Sequence, residues 1–252
     1  MKNNNNRWDY QWQRFKNEEE KIFLDWIFPT KLEDFKGKVV LDAGCGNGGY
    51  SKIVARYAKK VVGLDKYSID SAKKNTLGFK NIELIKSDIE NVNFKNKFDA
   101  IYSVGVLHHL ENPKKGFNNL LLNLKKGGFI NVWVYAKEGN WFFINVIEPL
   151  KKSILLKLPL TVLRLISHWL TLVLYAISWS IYLLPLPLPY GKYFAKFRGH
   201  SYQRNMMNVF DKLNAPQTHW ISKEQIDSWF KKLSKVKIRH YNNISWSGFG
   251  IK

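Results

Sequence analysis

The chain has 252 residues, enough for one α/β domain with an elaboration and too few for two full enzymatic domains. Its single cysteine, Cys45, excludes an intrachain disulfide and gives no sign of an oxidising compartment, so a cytoplasmic setting is expected. Lys and Arg number 40 against 20 Asp and Glu, a net charge of +20 that either calls for an anionic partner, nucleic acid or membrane surface, or reflects a Lys- and Asn-rich composition.

In chain order, Met1 to Tyr10 is rich in asparagine and lacks the apolar run of a secretory signal, so it is expected to be an unprocessed, frayed tail. Residues 1–37 carry Trp8, Tyr10, Trp12 and Phe15 and form an aromatic cap segment, either a lid over a ligand or packing against the sheet. From 38 to 136 short β-branched runs alternate with amphipathic segments, the pattern of βαβ units. Strands are predicted at Val39–Leu41, Val61–Leu64, Ile82–Ile85, Phe98–Val104 and Phe129–Tyr135. Helices are predicted at Tyr50–Tyr57, Ile69–Thr76 and Pro113–Leu124, the last opened by proline and closed by Gly127-Gly128.

Residues 137–221 break this alternation and form an apolar, basic helical insertion. Residues 222–252 resume it: Ser222 to Gln225 is a capping box opening a helix to Leu233, and Val236–Tyr241 and Ile244–Ile251 read as a final strand pair. The fold class is therefore α/β, Rossmann-like and doubly wound. It has a mostly parallel seven-stranded sheet and a large, mainly helical insertion after the fifth strand.

Leu41-Asp42-Ala43-Gly44-Cys45-Gly46-Asn47-Gly48-Gly49 follows a strand and opens a helix, so its glycines can bring backbone close to a ligand. Gly44, Gly46 and Gly49 match a dinucleotide pattern formally, but the Asp42 carboxylate would repel a pyrophosphate and attract a cation. Asp65, followed by Lys66, ends the second strand where a carboxylate can accept both ribose hydroxyls. Asp88 follows the third strand as an acceptor for an adenine amino group, with Ile89 to pack on the ring. Each aspartate alone fits a cap or turn; three acids at three successive strand ends fit a cofactor that is cationic at one end.

The residues Val40 to Gly46, Gly63-Leu64-Asp65, Ser87-Asp88-Ile89, Phe98 to Leu110 and Leu124 to Gly128 resemble class I S-adenosylmethionine-dependent methyltransferases. The likeness is to the ubiquinone and menaquinone methyltransferase group, methyltransferase types 11 and 12. It covers roughly residues 38 to 136. It implies S-adenosyl-L-methionine as cofactor, held by Asp42, Gly44, Cys45, Gly46, Asn47, Gly48, Asp65, Lys66, Asp88 and Ile89, with Ser103, Val104 and Gly105 beside its methionine part. Tyr10 to Phe15, and Val209 to Pro216 with Trp229-Phe230, more weakly resemble bacterial and archaeal relatives associated with surface-polysaccharide or secondary metabolism. A sulfonium is already activated, so such an enzyme mainly aligns a nucleophile and excludes water. His108, past the fourth strand, is the candidate proton acceptor; the alternative is that His108 and His109 shape the loop. Cys45 lacks a paired base and reads as a small packing residue. No His, Cys or carboxylate cluster has zinc spacing, and no metal is expected.

Leu165 to Leu184 contains no Asp, Glu, Lys or Arg and, at 1.5 Å per residue, is about as long as a bilayer's hydrocarbon core is thick. His168, the serines and the run Pro185 to Pro189 argue against a simple span. Three placements compete: an in-plane or re-entrant anchor, a buried substrate-cap helix, and a transmembrane span. Between Glu148 and Asp211 every charged residue is basic, and Trp169, Tyr175, Trp179 and Tyr182 suit an interface, so an anionic membrane surface is a candidate partner. The expected function is methyl transfer to a small-molecule or lipid-linked acceptor, at oxygen, peripheral to or anchored at the inner membrane face. An RNA methyltransferase, accounting for the charge, and a non-catalytic membrane-associated protein of this fold are the alternatives. Nucleic acid ranks below the small acceptor because no RNA-binding module is recognised.

Overall fold

The computed structural model describes residues 4–16 and 18–252, with a seven-stranded sheet at its centre. Strands β1 (Val39–Ala43), β2 (Lys60–Asp65), β3 (Ile82–Lys86), β4 (Phe98–Val104) and β5 (Leu124–Tyr135) run parallel; β6 (Ser234–Tyr241) and β7 (Ser245–Ile251) form a hairpin. Spatial order is β3-β2-β1-β4-β5-β7-β6, with β7 antiparallel to both neighbours. The order reverses between β1 and β4, and in open α/β sheets the crevice beyond the strand ends at such a point is where ligands bind.

Alternation along the strands divides the core between two faces. Leu41, Val62, Ile101 and Val132 face Phe117 and Leu120 of helix α5 (Pro113–Asn123) and Trp229 and Phe230 near the chain's end. Val40, Val61, Ala100 and Tyr102 face Phe23 and Ile27 of α2 (Glu20–Trp26) and Ile53 and Val54 of α3 (Gly49–Ala55). Helix α4 (Ile69–Asn75) joins β2 to β3, and the capping box at Ser222 starts α10 (Lys223–Phe230).

The frayed-tail expectation is corrected for the described residues. Asn4–Arg14 is helix α1, and residues 1–3 lie outside the description. Gln11 donates to Asp211 Oδ1 at 2.9 Å, Arg7 donates to Asn214 Oδ1 at 3.2 Å, and Asn214 Nδ2 donates to the Arg7 carbonyl at 3.1 Å. These long-range bonds, to a helix some 200 residues away, anchor a segment whose local propensity is poor. The fifth strand also begins earlier than predicted, at Leu124, because Leu124 pairs with Phe98 before the register shifts at Ala100.

Between β5 and α10 the chain forms a π-helical turn (Phe143–Ile147), α6 (Glu148–Ser153), α7 (Leu160–Ser178), α8 (Gly191–Arg198) and α9 (Tyr202–Asn214). Helix α7 reverses the usual polarity: the small polar residues Ser167, Thr171 and Ser178 are buried, while Leu165, Trp169 and Val173 are exposed. Ser167 and Thr171 satisfy their hydroxyls on α7's own carbonyls at Leu163 and Ser167, so burying them leaves no orphan donor. The segment Leu160–Leu183 has a mean hydropathy of 1.7 and is 17% buried, which corrects the buried-cap placement.

Candidate functional site

At the switch point the ends of β1, β2 and β4 and the helix α1 enclose a cleft lined by Trp8, Trp12, Asp42, Gly44, Cys45, Asp65, Lys66, Asp88, Ile89, Val104, Gly105 and His109, with Asp211 and Gln217. Of the residues singled out in the sequence, Gly46, Asn47, Gly48, Ser103 and His108 are not in this lining. The loop glycines shape it from behind. Gly44, Gly46 and Gly48 all have positive φ, and a Cβ on Gly44 would lie 2.3 Å from Val106 Cγ2. Asn47 donates to the Phe15 carbonyl at 2.8 Å and accepts from Gly49 N, and Ser103 Oγ donates to the Ala43 carbonyl at 2.9 Å.

Two carboxylates define the electrostatics. Asp42 is buried; Ser51 Oγ donates to it at 2.6 Å, yet burial and the nearby Asp65 charge push its carboxyl up to about 7. Burial also raises Asp65, against three backbone donors: Tyr67 N and Ser68 N at 2.8 Å and Gly46 N at 3.0 Å. Neither acid has a cationic partner among the described residues. A buried carboxylate pair facing a cleft is a site for a cation. An S-adenosyl sulfonium with its ammonium fits that demand, and a pyrophosphate does not. Asp88 differs from the expectation. Lys66 Nζ is 2.7 Å from its Oδ2, and this bond with the Glu90 N–H outweighs partial burial and holds Asp88 below the ordinary carboxylate range.

The histidine expected to take a proton, His108, lies outside the cleft lining, and its neighbour His109 lies within it. His108 is fully buried, packs at a tilt against Tyr135 with ring centroids 4.3 Å apart, has no hydrogen bond on either ring nitrogen, and burial drives its pKa well down. His109 is the one in the cleft. Its Nδ1 is 2.7 Å from the Gln217 carbonyl, an acceptor only, which places the ring proton on Nδ1 and leaves Nε2 as a free acceptor. Burial lowers the His109 pKa too, so the ring is neutral near pH 7. The sequence motif covered both histidines; in the 3-10 turn Leu107–His109 the His108 ring is buried, while His109 reaches the Gln217 carbonyl and lines the cleft. Trp8 stands 5.0 Å from His109, and Trp12 lies over Gly46, so both tryptophans of the cap segment join the cleft. Tyr10 and Phe15 pack instead on Phe210.

Fold and cleft together define an α/β domain built for a cationic nucleoside cofactor. Residues 34–140 match the methyltransferase domain family and form a class I S-adenosylmethionine-dependent methyltransferase domain. Among curated proteins, the chain is 37% identical over 116 residues to a tRNA U34 carboxymethyltransferase of Sulfurovum sp. (strain NBC37-1), covering 42% of this chain and 37% of that protein. It is 30% identical over 140 residues to a protein of the same name from Actinobacillus succinogenes, covering 53% and 40%. The chain thus spans about two fifths of the length of the curated relatives it matches. Among solved structures, an S-adenosylmethionine-dependent methyltransferase from Aquifex aeolicus covers 96% of this chain and 92% of its own, at 14% identity and a TM-score of 0.48. A putative one from Listeria monocytogenes covers 46% and 54%, at 27% identity and a TM-score of 0.40.

The curated names overturn two expectations: the small-molecule or lipid-linked acceptor, and the low rank given to nucleic acid. Both rested on the apolar insertion and on the lack of a recognised RNA module. The relatives matched over the cofactor half are named as tRNA-modifying proteins. None of these names is a ubiquinone or menaquinone methyltransferase, so that narrower group goes no further than the resemblance.

Proposed function

We propose that the chain is an RNA-modifying enzyme that transfers an alkyl group from an S-adenosyl sulfonium cofactor to transfer RNA. The observation that carries this is the 37% identity to a tRNA U34 carboxymethyltransferase across the cofactor half. The net charge of +20 supports a polyanionic substrate, and a cytoplasmic setting suits both that substrate and the lone Cys45. The cofactor would supply an electrophilic carbon on sulfur. Asp42 would hold its cationic end and Asp65 its ribose hydroxyls, the Gly44 to Gly48 turn would let backbone approach it, and Trp8 and Trp12 would exclude water from the cleft. His109 Nε2 accepts the proton of the attacking group, with Gln217 fixing the ring.

The test is incubation of the purified chain with bulk tRNA and either labelled S-adenosylmethionine or its S-carboxymethyl sulfonium counterpart, followed by nucleoside digestion and mass analysis, which reads whether the group added is methyl or carboxymethyl. Label in a tRNA nucleoside, lost at high salt as phosphate contacts are screened, is the expected result. Label only in lipid or small-molecule fractions would overturn the reading.

A second reading concerns placement. The exposed apolar face of α7, rimmed by Trp169 and Trp179 and continued by Trp141 and Ile154, supports association with an anionic membrane surface. Co-sedimentation with phosphatidylglycerol vesicles, reduced by Leu165→Glu with Val173→Glu, is expected; equal recovery of both forms in the supernatant would refute it.

A further inference from the structure

Behind α7 lies a second cavity, of about 1200 Å³, larger than the roughly 300–1,000 Å³ clefts that hold drug-sized ligands. Its walls come from Leu170, Leu174 and Ile177 on α7, from the turn Leu186 to Pro189, and from Phe142 and Phe143 before α6. It shares no residue with the lining of the cofactor cleft. The only ionisable side chains of strong charge in this wall are Lys192 and Lys212, and it contains no Asp or Glu.

Lys212 is unusual in its surroundings. Its Nζ stands 5.1 Å from the Tyr135 ring centroid and 5.7 Å from those of Phe143 and Tyr193, and it makes no hydrogen bond or ion pair among the described residues. The adjacent Asp211 accepts from Tyr135 Oη at 2.9 Å and Gln11 Nε2 at 2.9 Å and lines the cofactor cleft. Burial lowers the Lys212 pKa to about 8, with Asp211 opposing the shift and Arg204 adding to it. This ammonium stands among aromatic faces at the wall of an apolar cavity, with no carboxylate within ion-pair distance among the described residues.

We propose that this cavity is a binding site for a long-chain anionic amphiphile, its alkyl chain lying between α7 and the Leu186 to Pro189 turn and its carboxylate or phosphate head on Lys212. The apolar wall supplies affinity that grows with chain length, and the lysine supplies selectivity for the head's sign. The ligand is held apart from the transfer chemistry, so the site stands whether or not RNA is the acceptor.

The experiment is calorimetry on the full chain, purified without detergent, with dodecanoate, tetradecanoate, dodecyl phosphate and dodecyltrimethylammonium, each below its micelle-forming concentration. Saturable binding of one anion per chain is expected, tightening roughly threefold to fourfold per added methylene. Preference for dodecanoate over dodecyl phosphate assigns a fatty-acid head; the reverse assigns a phospholipid-type head. The cationic amphiphile should bind at least tenfold more weakly, Lys212→Met should erase that difference, and Leu170→Trp, at a half-exposed wall position, should block all chains while S-adenosylmethionine binding persists. Should Lys212→Met fail to fold, the comparison of head charges on the unsubstituted chain and the Leu170→Trp block decide. Absence of one-to-one saturation, equal affinity for the cation, or unchanged binding in Leu170→Trp would overturn the proposal.

Discussion

Trp12 of α1 lies over Gly46 of the β1–α3 turn, so that a Cβ built on Gly46 would come 2.7 Å from the indole Cε2. The contact ties the N-terminal helix to the cofactor turn, and Gly46 has φ +55°, where any side chain is strained. Gly46→Ala should therefore weaken S-adenosylmethionine binding by tenfold or more, through both strain and displacement of Trp12. Trp12→Ala should restore part of the loss in the double variant. Calorimetric affinities of the four proteins check this; additive losses would show that the contact has no role.

Asp42 gives the cleft a pH signature. Its carboxyl is raised to about 7 from an ordinary value near 4, so the folded protein binds a proton that the unfolded chain releases. The destabilisation is absent below pH 4, grows between pH 4 and 7, and is full above. Asp42→Asn should leave stability unchanged at pH 4 and raise it at pH 8 by about 2–4 kcal/mol. Urea unfolding at the two pH values measures the difference, and an equal change at both would contradict it.

The same carboxyl should couple to the cofactor. A bound sulfonium and ammonium favour the ionised acid, so affinity rises with pH through about 7 and then levels off. Titrations in buffers of different ionisation enthalpy should detect proton release near pH 6.5 in the unsubstituted chain, and clearly less of it in Asp42→Asn; equal release in both proteins would contradict the coupling.

The two histidines should separate cleanly. His109→Gln should lower the transfer rate by about 10²–10⁴ with little change in stability, since His109 lines the cleft and its Nε2 has no hydrogen-bond partner among the described residues. His108→Ala should act through stability, by about 1–3 kcal/mol, because its ring is fully buried beside Tyr135. Single-turnover rates with thermal unfolding of both variants distinguish the roles; a rate loss in folded His108→Ala equal to that in His109→Gln would reverse them.

A buried ion pair supplies a further check. Lys151, 1% exposed, lies 2.7 Å from Glu148 Oε2 and donates to Thr218 Oγ1 at 3.2 Å. Glu148→Gln leaves a buried ammonium short of its partner and should cost about 3–5 kcal/mol, whereas Glu148→Leu with Lys151→Met should cost far less. Denaturant midpoints of the single and double variants test the asymmetry.

Much of this protein is legible in its residues alone. The β-branched runs at Val39, Val61 and Ile82 and the glycines after Asp42 specify parallel strands and a turn at the cofactor end, because period-two burial and positive φ are local constraints. Asp42, read as a cation-attracting acid, and Asp65, read as a ribose acceptor, close adjacent strands, and both line the cleft. Long-range packing decided the rest. Residues 4–14 are helical because Gln11 and Arg7 find partners on α9, and the choice of His109 over His108 follows from the Gln217 carbonyl more than 100 residues away. The apolar run of α7 has the same composition whether buried or exposed; only its packing, with Ser167 and Thr171 turned inward and Trp169 outward, places its large side chains at the surface and opens the cavity around Lys212.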